Sequence, residues 1–286
     1  MHVSIRDCML PAVDRDPLKA LAALGLNSVE IDVSKELKIG SFVPAGGKPF
    51  DLSTKQGRVE VKNFLAGNGI TACAFLMSND FSSQNFDDEV NALIKTCLAA
   101  EELRIPAVRI DFLPHTRGMA EDEFMKRCIE ASLRTLAETS RVRLGIENHG
   151  GTSNRPEFLD RIFDAVGDVR IGLTLDTGNF YWYGHPLDEI YRLMEKYAQR
   201  VCHTHIKNIA YPPDKRNIRR EVGWEYGKYV CPIYEGDIDH RKVVAILRAA
   251  GYNGGLAIED ESLGKFPPAK HAEILKKDAD HLKSLV

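Results

Sequence analysis

Short runs of β-branched and large apolar residues recur along this 286-residue chain. They lie at His2 to Ile5, Ser28 to Val33, Ile70 to Met77, Ala107 to Phe112, Val142 to Glu147, Val169 to Asp176, Arg200 to Ile206 and Gly255 to Glu259. Each has the length of a strand. Between them apolar residues return every three or four positions, which predicts helices over Pro17 to Leu24, Gly57 to Ala66, Glu89 to Leu103, Glu121 to Glu138, Pro156 to Val166, Leu187 to Gln199 and Arg241 to Ala250. A final helix is expected over Pro268 to Leu285. Strand and helix therefore alternate from end to end, which implies right-handed crossovers and a parallel sheet. Eight units favour closure of that sheet. Because a closed (β/α)₈ domain takes about 250 residues, the chain is expected to form one TIM-barrel domain over residues 1–286. Neither G-x-G-x-x-G nor G-x-x-x-x-G-K-[ST] follows any of the runs, which removes the usual support for an open nucleotide-binding sheet.

Two connections exceed what a barrel needs, Ser34 to Thr54 and Asn208 to Gly236. Both follow strands, so both belong to the carboxyl face where barrel active sites are built, and each is a candidate lid. Each could equally be a contact in a homo-oligomer.

Composition changes this picture little. A hydrophobic fraction of 44% and a charged fraction of 28% are ordinary globular usage and exclude a disordered, fibrous or membrane-spanning chain. Lys plus Arg number 38 against 41 Asp plus Glu, so no polyanion is called for and neither nucleic acid nor a membrane is an expected partner. Arg6 and Asp7 interrupt the place where a secretory signal would have its apolar run, which points to the cytoplasm. The six cysteines contain no C-x-x-C pair and read as reduced, small hydrophobes.

The candidate chemistry is positional. Four late strands each end on a metal-competent side chain: Leu144-Gly-Ile-Glu147, Leu173-Thr-Leu-Asp176, Cys202-His-Thr-His205 and Leu256-Ala-Ile-Glu259. Side chains alternate along a strand, so the inward neighbours one step below are Gly145, Thr174, His203 and Ala257, mostly small residues that would leave room at the mouth. Three carboxylates crowded at the end of a buried sheet cannot all ionise without a compensating charge, and a divalent cation supplies it. Oxygen-rich ligation with one imidazole suits Mn²⁺ or Mg²⁺, with Co²⁺ and Zn²⁺ also compatible. The alternative is a salt-bridge network to arginines such as Arg109 or Arg155.

The strings Ile146-Glu-Asn-His149, Leu175-Asp-Thr-Gly-Asn179, His203-Thr-His-Ile-Lys207, Gly236-Asp-Ile-Asp239 and Ile258-Glu-Asp260 resemble the sugar phosphate isomerase/epimerase family, within the xylose-isomerase-like TIM-barrel superfamily. The resemblance covers the carboxyl-terminal half by motif and the remainder by strand and helix rhythm. It implies Glu147, Asp176, His205 and Glu259 as metal ligands, with Glu147 and Glu259 also moving protons on a small sugar, ketose or keto-polyol through an enediolate. Its members include ketose 3-epimerases, hydroxypyruvate isomerase, inosose dehydratase and isomerase, 3-dehydroshikimate dehydratase and endonuclease IV. Departures are specific. Asn179 stands where the 3-epimerases and the endonuclease have His, Tyr211 replaces an Arg of the 3-epimerases, and Met77-Ser-Asn-Asp80 and Arg109-Ile-Asp111 lack the histidines of a three-metal cluster. An isomerase or epimerase is the first expectation and a dehydratase the second. Substrate contacts are expected from His149, Asn179, His185, Lys207 and Arg216, the last from the basic loop that also carries Lys215, Arg219 and Arg220; His149, His185 or Lys207 would serve as acid in an elimination. His203 is the candidate for fixing the orientation of His205.

Overall fold

The computed structural model describes residues 1–116 and 118–286. Eight parallel strands close into a barrel: β1 (His2–Arg6), β2 (Ser28–Val33), β3 (Thr71–Met77), β4 (Ala107–Ile110), β5 (Arg143–Glu147), β6 (Ile171–Asp176), β7 (Val201–Ile206) and β8 (Gly255–Ile258). Each pairs with its neighbours in sequence, and β8 meets β1 with Ile5 opposite Ile258. The helices α1 (Pro17–Leu24), α2 (Lys55–Gly67), α3 (Phe86–Leu103), α4 (Glu121–Glu138), α5 (Pro156–Val166), α6 (Leu187–Tyr197), α7 (His240–Ala249) and α8 (Pro268–Lys283) follow the strands in turn. This is the (β/α)₈ TIM barrel that the hydrophobic rhythm predicts.

Local chemistry sets the element ends. Asp16 caps α1 by accepting from the amides of Leu18 and Lys19, and Gly25 at φ 64° ends it in the left-handed region that glycine adopts without strain. Thr54 and Asp239 cap α2 and α7 in the same way. Four strands begin later than the apolar runs suggest, β3 at Thr71 and β5 at Arg143 by one residue each, and β6 and β7 for visible reasons. Asp168 accepts from the Arg170 amide at 2.8 Å in a turn, which leaves Val169 84% exposed and starts β6 at Ile171. Arg200 closes a 3₁₀ turn, so β7 starts at Val201. The two long connections carry structure of their own: Lys38–Ile39 pairs antiparallel with Phe50–Asp51, and Asn208–Ile209 with Val230–Cys231.

The apolar core lies between strands and helices, whereas the barrel interior is polar towards its carboxyl end. The residues one step beneath the predicted ligands do not open room. A Cβ on Gly145 would stand 2.3 Å from Thr174 Oγ1 and 2.9 Å from Cys202 Sγ, so neighbouring side chains already fill that space. A register shift between Leu173 and Thr174, where Cys202 is the extra residue of β7, brings the thiol there. Gly145, Thr174, His203 and Ala257 form a packed floor, with the three non-glycine residues at most 1% exposed. Among the described residues no helix is long and apolar enough to cross a membrane.

Candidate metal centre

Glu147 ends β5, Asp176 ends β6, His205 lies on β7 and Glu259 follows β8. One ligand atom from each of the four lies within 4.8 Å of the others, and all four side chains are buried. Local structure aims them. Asp176 Oδ1 accepts from the amides of Gly178 and Asn179 at 2.8 and 2.9 Å, which commits that oxygen and leaves Oδ2 facing the cluster. Asn148 ties the ends of β5 and β6 together, donating to the Asp176 carbonyl at 3.0 Å and accepting from its amide at 2.8 Å. Ser153 donates to the Glu147 carbonyl at 2.6 Å.

His205 is held from behind. Its Nε2 lies 3.0 Å from both carboxylate oxygens of Glu30 on β2, while Nδ1 faces Glu147 Oε1 at 3.4 Å and Glu259 Oε2 at 3.3 Å. A carboxylate behind an imidazole fixes its tautomer and raises its basicity as a ligand. His203 Nε2 lies 2.8 Å from the same Glu30, so it supports His205 through a shared carboxylate rather than directly.

Basic residues interleave with the acids. Arg109 pairs with Glu147 and, at 3.2 Å, with Asp111; Asp111 in turn meets His149 Nδ1 at 2.8 Å. Arg6 pairs with Glu259 and, at 3.3 Å, with Glu30. Lys207 Nζ lies 2.8 Å from Asp176 Oδ2, 3.1 Å from Glu259 Oε2 and 2.6 Å from Glu261 Oε1. Its stem passes Gly178, where a Cβ would stand 2.5 Å from Lys207 Cγ, so the approach depends on glycine. Arg155 belongs elsewhere, paired with Glu121 at 2.6 Å.

These pairs do not satisfy the site. Apart from the Lys207 ammonium, no hydrogen-bond partner among the described residues reaches buried Asp176 Oδ2, while His205 Nδ1 and Glu259 Oε2 face each other at 3.3 Å without forming a regular hydrogen bond. Such poorly satisfied groups are costly unless a bound species takes them up. Burial pushes the Asp176 carboxyl up to about 8; Lys207 opposes the shift, and the like charges of Glu259 and Glu147 reinforce it. Burial also works against ionised Glu147 and Glu259, but Arg109 and His205 for the first, and Lys207, His205 and Arg6 for the second, hold both well below the ordinary carboxylate range. Burial likewise opposes charge on His205, yet Glu30, Glu259 and Glu147 raise its pKa well above that of a free imidazole. Three carboxylates and one imidazole with inward-facing lone pairs fit a single divalent cation.

Of the expected substrate contacts, Asn179 and Lys207 join this cluster, Asn179 Nδ2 lying 3.2 Å from Glu147 Oε1. His149 stands at its rim with its side chain 39% exposed. His185 and Arg216 lie in the 208–236 strap and its footing. His185 Nε2 is 3.2 Å from the Asn154 carbonyl and Nδ1 is 2.7 Å from Arg219, while Arg216 pairs with Asp237 at 3.0 Å. Arg220 fastens the strap, its guanidinium 4.4 Å from the Tyr181 ring centroid and 4.3 Å from that of Tyr211, donating to the carbonyls of Tyr181 and His185. The sequence pattern misses Arg6, Glu30, Asp32 and Asp111. Their only signal is an acid or base at an inward position of a strand that the barrel covers on its outer side.

The chain matches the family described as xylose isomerase-like TIM barrel over residues 18–285. It belongs to that family. Inosose dehydratase of Yersinia enterocolitica is 28% identical over 139 residues, covering 45% of this chain and 44% of that protein, and inosose dehydratase of Clostridium botulinum is 30% identical over 135 residues with the same shares. The matched region thus spans less than half the length of these curated relatives. Among solved structures, D-allulose 3-epimerase from Methylomonas sp. in complex with D-allulose has a TM-score of 0.67 at 14% identity, covering 100% of this chain and 97% of that one. The likeness to the epimerase is one of fold.

Proposed function

We propose that the protein is a divalent-metal-dependent isomerase or epimerase of a small sugar or keto-polyol, moving a proton at a carbon beside a carbonyl through an enediolate. The convergence of buried Glu147, Asp176, His205 and Glu259, with one ligand atom of each within 4.8 Å of the others, carries this reading. These four would hold the ion, with Mn²⁺ or Mg²⁺ best suited to the donors and Co²⁺ or Zn²⁺ compatible. When bound, the cation polarises a carbonyl and offsets the charge that proton removal creates. The chain supplies the remainder. Glu147 and Glu259 are the proton-transfer groups, Arg109 and Arg6 hold their second oxygens, Glu30 orients His205, and Asn179 and Lys207 meet substrate oxygens. The setting proposed is a single-domain cytoplasmic enzyme with a small-molecule substrate and no nucleic-acid or membrane partner.

Elimination of water on the same scaffold is the second reading. It is supported by the similarity to inosose dehydratases and by His149, which Asp111 holds at the rim where a proton donor would meet a leaving hydroxyl. Incubating Mn²⁺-loaded protein in deuterated water with ketoses, aldoses and keto-polyols separates the two. Deuterium uptake without loss of water is expected, loss of water moves the assignment to a lyase, and neither outcome with any substrate or metal refutes both. Glu259→Gln keeps a coordinating oxygen but no base, so exchange should fall about 10²- to 10⁴-fold. Wild-type exchange in the metallated variant would remove Glu259 from the proposed base role.

A further inference from the structure

We infer that the site takes an uncharged polyhydroxy substrate and rejects phosphorylated or carboxylated ones, with Asp32 the residue that sets this preference. The inference rests on the proposed metal centre. Each of the three cations at the cluster is already engaged by two or more carboxylates: Arg6 by Glu259 and Glu30, Arg109 by Glu147 and Asp111, and Lys207 by Asp176, Glu259 and Glu261. Four carboxylates outside the ligand set lie close to the cluster, Glu30 beneath it and Asp32, Asp111 and Glu261 nearer the mouth. Once metal has displaced the Asp176 proton, the three ligand carboxylates bring the total to seven negative charges, against five positive from Arg6, Arg109, Lys207 and a divalent ion, or six with His149 protonated. Among the described residues the mouth stays negative after metal loading. In the strap Arg220 is held by carbonyls, Arg216 by Asp237 and Arg219 by the His185 ring, away from the cluster's carboxylates. A phosphate ester would bring roughly −1.5 to −2 further charges into this field.

Hydroxyl groups are donors, and the mouth is rich in acceptors. Asp32 lies one inward step beyond Glu30 on β2, half-buried and within electrostatic reach of Arg6, Glu30 and Arg109. Its backbone amide donates to Asp7 Oδ2 at 2.8 Å. Beside it lies an open hollow of about 340 Å³ with a largely apolar wall that includes Cys8, Gly40 and Pro49, and with Asp7, Asp32 and Ser34 among its polar members. Lys38 also lines it but pairs with Asp51. The volume falls in the range of small-molecule sites, and Asp32 is the residue that this hollow shares with the charged mouth.

The test is calorimetric titration of the full, Mn²⁺-loaded protein with myo-inositol and D-fructose, and with myo-inositol 1-phosphate and D-fructose 6-phosphate. A like charge within about 6 Å at an exposed mouth costs about tenfold in affinity, so a neutral probe should bind at least about tenfold tighter than its ester. Asp32→Asn should narrow that ratio by about tenfold, chiefly through tighter binding of the ester. Asp32 is half-buried, so the variant should fold, and a thermal melt checks that it does. Esters that bind as tightly as the neutral probes, a ratio unchanged in folded Asp32→Asn, or a protein that registers neither neutral probe would each overturn the inference. Neutral preference without deuterium exchange would sink only the catalytic assignment, and exchange on a phosphorylated substrate would sink only this inference.

Discussion

Glu30→Gln tests whether the carboxylate behind His205 governs the metal centre. The substitution preserves the volume of a side chain that is 1% exposed, while removing the charge that faces His205 Nε2 at 3.0 Å, His203 at 2.8 Å and Arg6 at 3.3 Å. Removing such a partner costs about 10- to 100-fold in metal affinity, or about 1.4 to 2.7 kcal/mol. Bound metal stabilises the native state by mass action, so at a fixed excess of Mn²⁺ the stabilisation by metal shrinks by the same amount. For a chain of this size about 1 kcal/mol corresponds to roughly 2 °C, which puts the change at about 3–5 °C. The quantity to measure is the difference between metal-loaded and metal-free melting temperatures, because subtracting the metal-free value removes the cost of leaving Arg6 and His203 with a weaker partner. Direct titration with Mn²⁺ gives the affinity independently. A Kd within twofold of the parent, with an unchanged melting-temperature difference, would refute the argument that Glu30 prepares His205 as a ligand.

Metal-free stability and metal affinity should move oppositely with pH. Asp176, raised to about 8 from 3.8 chiefly by burial, stays protonated in the fold where the unfolded chain has it ionised, so its contribution to metal-free stability declines from about pH 4 to 8 and then levels. Metal must displace that proton, and His205, raised by Glu30, Glu259 and Glu147, gives up another. Mn²⁺ affinity should therefore tighten at least about tenfold per unit up to about pH 8, read as proton release in calorimetry across buffers; a flat profile between pH 6 and 8 would contradict this. Arg220→Ala should cost about 2–4 kcal/mol by melt, since it removes two cation–π contacts and leaves buried carbonyls unpaired, while Mn²⁺ affinity stays within about threefold. An unchanged melt would show that the strap is fastened by other contacts.

The four residues proposed as ligands, which the fold brings together, were legible because each ends an apolar run, which makes a lone Glu, Asp or His conspicuous. Glu30 and Asp32 were not, for a reason built into strand periodicity. In Ser28-Val-Glu-Ile-Asp-Val33 acid and aliphatic residues alternate, which on an isolated sheet means one wet face. A closed barrel covers that strand on both sides, so the supposed wet face is the interior and its acids stand beside His205 and Arg6. Only closure converts the pattern into a site. His185 illustrates the converse: an aromatic-rich segment with a histidine suggests ligand contact, yet the spacing cannot reveal that Asn154 and Arg219 occupy both ring nitrogens.

The ion pair between Arg6 and Glu259 joins the first strand to the residue that follows the last one, across the junction where Ile5 meets Ile258. A chain emerging from the ribosome makes Arg6 more than two hundred residues before Glu259 exists. Until then Arg6 has Glu30 but lacks its second carboxylate, and a cation would find only three of the four proposed ligands. The proposed metal set is therefore completed together with the ring, and a chain cut before β8 would be open along one strand edge and one ligand short. The same junction is an unsuitable place to cut and rejoin the chain in a circular permutant, whereas the exposed turn around Val169 leaves every charge of the mouth where it is.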